Sequence, residues 1–363
     1  LAGILVDRVG ARAIIPIGVA IVTASVLLVS QAHELWQFYL VFGPIAAIGT
    51  AASGYIPNFV LVSTWFMRKR ATAFGIALAG NGGSFVIASL GQLLIGAFGW
   101  RMALLSLAVV LGGGTLAATA LLLRRRPEDV GQTVDGEPPT SAGQAGPQRG
   151  ALQVVDAAWA GRNWTAKSAL RTLKFWCFFT ANLTVWGIAN SMLTQHHAAY
   201  AQDAGHSSAT IAAMVGLYGI TNVIGNLCGF LADRFGREPV YTVGCASIFV
   251  GLIALLLAAN PALPWLLLVY ALLFGFGFGI ISPTATAAIA DVFQGPNLGV
   301  INGLVVTSFG LGGSFSPWLA GWVFDHTGSY VPAFLFALSA VVVSAVLIWV
   351  ARPSSVRAVR RQA

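Results

Sequence analysis

The 363-residue chain is 57% hydrophobic and only 9% charged, with a mean hydropathy of +0.79; soluble domains carry about 25% charged residues, so a water-soluble fold is excluded. The formal charge of +8 would suit a nucleic-acid binder, but basic residues flanking long apolar runs mark cytoplasmic loops instead. Lipid offers the backbone no hydrogen-bond partners, so uninterrupted runs of roughly 20 apolar residues must be helices, and the fold class is an all-α membrane protein.

In chain order, residues 1–6 read as the stump of a span. Ten full spans follow, near 13–31, 40–62, 71–95, 100–123, 173–196, 208–231, 240–259, 264–288, 298–322 and 330–350. Assigning alternate breaks to the two sides leaves Arg101 alone on one side and 19 of the 20 Lys and Arg on the other, which the positive-inside rule makes cytoplasmic. Between 124 and 170 the apolar pattern lapses into Pro, Gly, Gln and acidic residues, a solvated linker expected to be poorly ordered around 131–150. The expected organisation is therefore an N-terminal half at 1–123, the linker at 124–170, a C-terminal half at 171–351 and a cytoplasmic tail at 352–363.

The chain is internally repeated. Gly3-Ile4-Leu5-Val6-Asp7-Arg8-Val9-Gly10-Ala11-Arg12 recurs as Gly229-Phe230-Leu231-Ala232-Asp233-Arg234-Phe235-Gly236-Arg237, offset by 226 residues. Tyr55-Ile56-Pro57 matches Ile281-Ser282-Pro283 at the same offset, and Gly82-Gly83-Ser84-Phe85 matches Gly312-Gly313-Ser314-Phe315 at 230. These offsets define two halves of six helices. The chain opens with Leu and its first Met is Met67; by the symmetry of the repeat, roughly 54 residues, one helix and most of a second, are expected ahead of Gly3.

Two six-helix halves, a charged linker and a Gly-x-x-x-Asp-Arg-x-Gly turn after the second helix of each half resemble the major facilitator superfamily of transporters. The segment from Trp65 to Gly75, with Ala79-Gly80 and Gly83, and the segment from Gln195 to Gly205 are similar to its monocarboxylate and oxalate/formate porter branch. The resemblance implies a gating role for Gly3, Asp7, Arg8, Gly10, Arg12, Gly229, Asp233, Arg234, Gly236 and Arg237. Asp7 would lie near the helix starting at about Asn297 and Asp233 near the helix starting at about Ala71, where the positive end of a helix dipole favours a carboxylate. Arg8, Arg12, Arg234 and Arg237 would pair or hydrogen-bond locally. The same resemblance makes the fourth, seventh and tenth family helices the wall of a central cavity.

All twelve acidic residues fall at or beyond the span ends, so the informative groups inside the spans are neutral. Asn182, Trp186 and Asn190 recur every four residues and share one helix face, as do Tyr218, Asn222 and Asn226. Combined with the cavity that the resemblance implies, this singles out Tyr55, Asn58, Asn182, Trp186 and Asn190 as substrate-binding candidates. Each has a plainer reading as a helix-to-helix hydrogen bond. His196 and His197 are an interfacial pair, a proton-coupling pair or, with Asp203 and His206, a mimic of a metal site; adjacent His residues without i, i+4 spacing argue against metal. Cys177, Cys228 and Cys245 stand singly in apolar runs and imply no disulfide.

The expected function is a secondary transporter, not an enzyme, moving a small organic solute of monocarboxylate type by alternating access. The alternatives are an efflux porter for neutral or amphipathic compounds and a non-transporting membrane sensor. Expected partners are the solute, a proton as coupling ion and the lipid bilayer of the plasma membrane, with no cofactor, no metal and no nucleic acid, the protein acting as a monomer. Porters of that branch carry a basic residue in the eighth or eleventh helix; 208–231 and 298–322 here contain no Lys, Arg or His.

Overall fold

Apolar runs bounded by charge and glycine fold as their pattern demands. In the computed structural model, which describes residues 2–124, 126–136 and 152–359, every expected span coincides with a helical run. These are α2 (Ala11–Ser30), α3 (Leu35–Trp65), α4 (70–98), α5 (100–122), α6 (173–203), α7 (Ser208–Leu227), α9 (Arg237–Leu257), α10 (Trp265–Val292), α11 (Leu298–Thr327) and α12 (Val331–Ala351). The short α1 (Ala2–Val9) precedes α2, and the short α8 (Phe230–Phe235) precedes α9. Among the described residues, eight helices are long and apolar enough to cross a membrane. At 1.5 Å per residue even the 20 residues of α2 reach about 30 Å, the thickness of a hydrocarbon core. Large apolar side chains such as Leu28, Leu122 and Trp318 lie exposed, as a lipid-facing surface requires. Of the stretch expected to be poorly ordered, residues 137–150 lie outside the described residues.

The chain divides into two compact units: Leu1–Met67 with Ser84–Gly146 and Pro296–Gly303, and Arg68–Gly83 with Pro147–Gly295 and Leu304–Ala363. Each unit thus includes one short segment from the opposite half of the sequence. In the first, Val6, Ala11, Ile14 and Ile15 form a buried cluster backed by Ala52, Val60 and Leu61. In the second, α10 is buried on nearly every side, which is why it is apolar all round instead of amphipathic. Small residues let its neighbours close in: Gly277 meets Gly244 of α9, and Gly279 meets Gly225 of α7.

Among the described residues, three stretches widen from α to π geometry. Val41–Ile45, Ala108–Gly112 and Leu183–Asn190 are π-helical. The first contains Pro44, which cannot donate to the helix ladder. The third lies in the middle of α6 and carries Trp186.

The second part of the sequence linker is ordered against the tail. Strand β1 (Leu152–Val154) pairs antiparallel with β2 (Arg357–Val359), Leu152 opposite Val359. Behind it the Trp159 indole donates 2.9 Å to the Val292 carbonyl, and Trp164, 2% exposed, packs edge-on against Phe293 with centroids 5.3 Å apart. Arg357 is buried; desolvation and the nearby Arg70 guanidinium hold it below its ordinary range, opposed by Asp291.

The last glycine of each turn motif has a backbone that only glycine adopts readily: φ 95, ψ 148 at Gly10 and φ 101, ψ 161 at Gly236. Such strain costs roughly 1–3 kcal/mol for an L side chain. Gly236→Ala is therefore expected to lower the melting temperature in detergent. Gly113→Ala, placed in α5 where an added Cβ meets nothing within 4 Å, is expected to leave it unchanged or raise it. Equal melting temperatures for Gly236→Ala and wild type would sink the assignment.

Candidate functional site

The two turn motifs share one local architecture. In the first unit, Asp7 accepts from the N–H of Gly299 at 3.2 Å and of Val300 at 3.0 Å, in the first turn of α11. Burial pushes the Asp7 carboxyl up, while those two N–H donors pull it down. In the second unit, Asp233 accepts from the N–H of Ala71 at 3.2 Å, and from the N–H and hydroxyl of Thr72, both at 2.7 Å, in the first turn of α4. Helix N-termini leave N–H groups without intrahelical acceptors, and the carboxylate satisfies them while meeting the positive end of the dipole. The leading glycine of each motif makes the approach possible. A Cβ on Gly229 would stand 2.6 Å from the Ala71 carbonyl oxygen, and one on Gly3 would collide with that of Gly299.

Of the four arginines expected to pair or hydrogen-bond locally, Arg237 forms ion pairs and Arg234 lies over the adjacent Phe235 ring, 5.4 Å from its centroid. The Arg237 Nη1 lies 2.6 Å from Asp233, and its Nε 2.9 Å from Asp291 at the end of α10. Arg8, Arg12 and Arg234 are exposed and, among the described residues, form no ion pair.

The neutral candidates separate by unit. Tyr55 and Asn58 belong to the first. Tyr55 stacks on Phe59, with centroids 6.1 Å apart. Asn58 directs its amide at the Ser53 and Gly54 carbonyls, 2.8 and 2.7 Å away, and so caps the bend at Gly54 in α3. Asn182, Trp186 and Asn190 belong to the second, along α6. The Asn182 amide donates 2.9 Å to the Ser308 hydroxyl of α11. Trp186 packs edge-on against Phe278 of α10 at 5.1 Å. Asn190 receives the Tyr218 hydroxyl from α7 at 3.4 Å. Within the π-helical stretch the Gly187 carbonyl accepts from the Ser316 hydroxyl of α11 at 2.7 Å.

The Major Facilitator Superfamily model matches residues 1–293 and, again, 227–363. The chain belongs to the Major Facilitator Superfamily. It is 27% identical over 365 residues to monocarboxylate transporter 12 of Rattus norvegicus, covering 97% of this chain and 74% of that protein. It is 28% identical over 362 residues to monocarboxylate transporter 11 of Homo sapiens, covering 96% of this chain and 70% of that one. Among solved structures, the proton:xylose symporter XylE superposes with a TM-score of 0.72 at 14% identity, covering 96% of this chain and 82% of that chain. Members of this superfamily are membrane transporters, so the chain is a multi-pass transporter and not an enzyme.

The sequence reading missed the part of this superfamily member where charge is buried. Asp291 is 1% exposed and bridges Arg237 and Arg70, the latter 3% exposed with its Nη1 at 2.8 Å. Arg70 is the first residue of α4, whose next two residues bind Asp233. Glu238, also buried, accepts the Ser354 N–H at 2.8 Å. A signal was available: Asp291 is the one acidic residue inside a 28-residue helix that is otherwise apolar. Counting it as a span end hid it. A buried pair broken from one side leaves a naked charge and costs about 3–5 kcal/mol, whereas replacing both partners by apolar residues can be neutral. Asp291→Ala is thus expected to lower the melting temperature sharply, and Arg70→Met combined with Asp291→Leu to recover much of the loss. A double variant less stable than Asp291→Ala would contradict this account.

Proposed function

We propose that this transporter moves a small organic solute, a monocarboxylate-like anion, by alternating access, with a proton as the coupling ion. The N-terminal half at 1–123, a stump followed by four spans, and the six-helix half at 171–351 are the rocking bodies of this reading. The protein works as a monomer in the plasma membrane, with the 124–170 segment and the tail on the cytoplasmic side, where positive charge accumulates. Tyr55, Asn58, Asn182, Trp186 and Asn190 are its proposed substrate-facing residues.

One observation carries the site assignment. Asn182 spends its amide on Ser308, whereas among the described residues neither the Trp186 indole N–H nor the Asn190 amide N–H has a protein acceptor. The two sit on successive turns of one face of α6, both half-buried. Two neutral N–H donors beside an aromatic face suit a carboxylate carried on a small apolar body. The similarity to monocarboxylate transporters 12 and 11 points the same way. The second reading, efflux of a neutral or amphipathic compound, draws on the lack of Lys, Arg and His in 208–231 and 298–322.

The turn motifs are the proposed gate, and they are unequal. Asp7 binds backbone N–H groups alone, an interaction worth about 0.3–1 kcal/mol at a surface and up to about 2 when partly buried. Asp233 is tied in addition to Arg237 and, through it, to Asp291.

Liposomes containing the purified protein are expected to show saturable uptake of labelled lactate, pyruvate or acetate above protein-free liposomes. Trp186→Ala and Asn190→Ala should each lower uptake efficiency about tenfold, the loss of one hydrogen bond to a charged group. Asn182→Ala, which also breaks the bond to Ser308, should lower both uptake and stability. Absence of uptake of any acid by folded protein would favour the neutral-substrate reading. For the gate, Asp7→Asn should change the transport rate a few-fold at most, and Asp233→Ala by more than tenfold. Equal effects would remove the proposed asymmetry.

A further inference from the structure

Beyond Asn190, toward the outer end of α6, the polar line continues into a buried cluster. His197 lies two turns further along the helix and is only 5% exposed. Its Nδ1 is 2.9 Å from the hydroxyl of Tyr270 on α10, a residue fully shielded from solvent. The Tyr218 ring of α7 stands edge-on to the imidazole at 6.4 Å, and the Tyr218 hydroxyl is the one that reaches Asn190. With α6 ending at Asp203, this cluster runs from about 9 Å to about 20 Å below the helix end at 1.5 Å per residue. It therefore lies between the end of α6 at Asp203 and the face that carries Trp186.

The groups facing His197 are neutral. They are Tyr270 from α10 and Tyr218 from α7. On its own helix, His196 turns to the Pro317 carbonyl of α11 at 3.0 Å and to Tyr330, and Tyr200 turns to the Leu256 carbonyl and to Phe334 of α12. The charged residues of the packed helices stand at their ends. Arg237 and Glu238 open α9, Lys174 and Asp203 stand at the two ends of α6, Asp325 and His326 lie near the end of α11, and α7 and α12 have none. Asp291 closes α10, about 30 Å along the axis from Tyr270. Among the described residues no acid pairs with His197.

An imidazolium in such surroundings would be a buried charge without a counter-ion, which is expensive in a membrane interior. The closed cluster therefore holds a neutral ring, and a proton can be added only in a conformation where the cluster opens. A ligand that binds one conformation and not the other shifts the equilibrium between them, which is the requirement for coupling.

We propose that His197 carries the coupling proton of this transporter, and that Tyr270, Tyr218 and Asn190 relay its state to the substrate face at Trp186. The proposal rests on the transport reading given above. In the tautomer whose Nδ1 lone pair accepts from the Tyr270 hydroxyl, loading places a proton on that lone pair, so both nitrogens become donors. Nδ1 then donates to the Tyr270 oxygen and the Tyr270 hydroxyl hydrogen turns to another acceptor. Release reverses both changes, and the ring returns unchanged.

The test uses liposomes loaded with a pH-sensitive dye, with lactate as the probe. Two quantities are read above the leak of protein-free liposomes: lumenal acidification driven by a lactate gradient, and labelled-lactate counterflow, which needs no net proton movement. Wild type is expected to show both. His197→Gln should retain counterflow within about twofold and lose the acidification, with uptake flattened across about pH 5–8, the range in which His titrates. Acidification by His197→Gln at the wild-type rate overturns the proposal and leaves the transport reading intact. Wild type that moves lactate without acidification, or does not move it, defeats the transport reading itself. Should His197→Gln lose both signals, Tyr270→Phe decides, because it keeps the ring and removes the hydroxyl. A shift of about one pH unit in half-maximal uptake supports the proposal, one unit being the effect of a single lost hydrogen bond on a titrating group. An unmoved profile overturns it.

Discussion

The arrangement depends first on a carboxylate placed at a helix start. Four N–H groups at the head of any helix lack intrahelical acceptors, and a bilayer supplies none. Asp233 meets the need at α4 and Asp7 at α11, each accepting from two consecutive N–H groups. Because the acceptor comes from a distant stretch of sequence, the contact fixes long-range topology. It also explains why each compact unit includes a short segment of the other half: 68–83 contains the N–H groups that Asp233 binds, and 296–303 those that Asp7 binds.

The repeat conserves this geometry and discards its symmetry elsewhere. At the offset of 226, Arg237 corresponds to Ala11 and Asp291 to Trp65. The second unit therefore builds an ion network of Asp233, Arg237, Asp291 and Arg70, whereas the first relies on dipole and backbone alone. Salt bridges of this burial contribute little net stability, because desolvation offsets the Coulomb gain, but they are costly to break singly. That combination makes such a network suitable for a contact that must hold as a unit and release as a unit.

The middle of α6 shows how a membrane helix presents chemistry without charge. Its π-helical stretch accepts the Ser316 hydroxyl at the Gly187 carbonyl, and Asn182, Trp186 and Asn190 along the helix meet three different neighbours. The amides that the sequence aligned on one face thus divide into a structural one, Asn182, and one with donors to spare, Asn190. Asn222 and Asn226, the parallel line on α7, are engaged with each other and with the Gly275 carbonyl of α10. Spacing alone made these two lines equivalent; their neighbours made them different.

Helix number, the two-fold repeat and the turn glycines were legible in the residues themselves, since span length is set by bilayer thickness, and a backbone of positive φ names its own residue. So was the meeting of each motif aspartate with a helix start, once the resemblance to the superfamily was seen. Other features were not. The pairing of β1 with β2 joins segments about 200 residues apart that are too short to announce themselves. The role of Asp291 depends on two arginines from other helices, and the sequence, which offered His196 and His197 alike for proton coupling, did not show that His197 alone meets tyrosines from α10 and α7. A sequence determines which groups can be buried in lipid, because that is a property of each residue and its near neighbours. Whether a buried polar group is satisfied, and therefore structural, or left with donors to spare depends on what other helices bring within about 3 Å of it, and only the tertiary structure decides that.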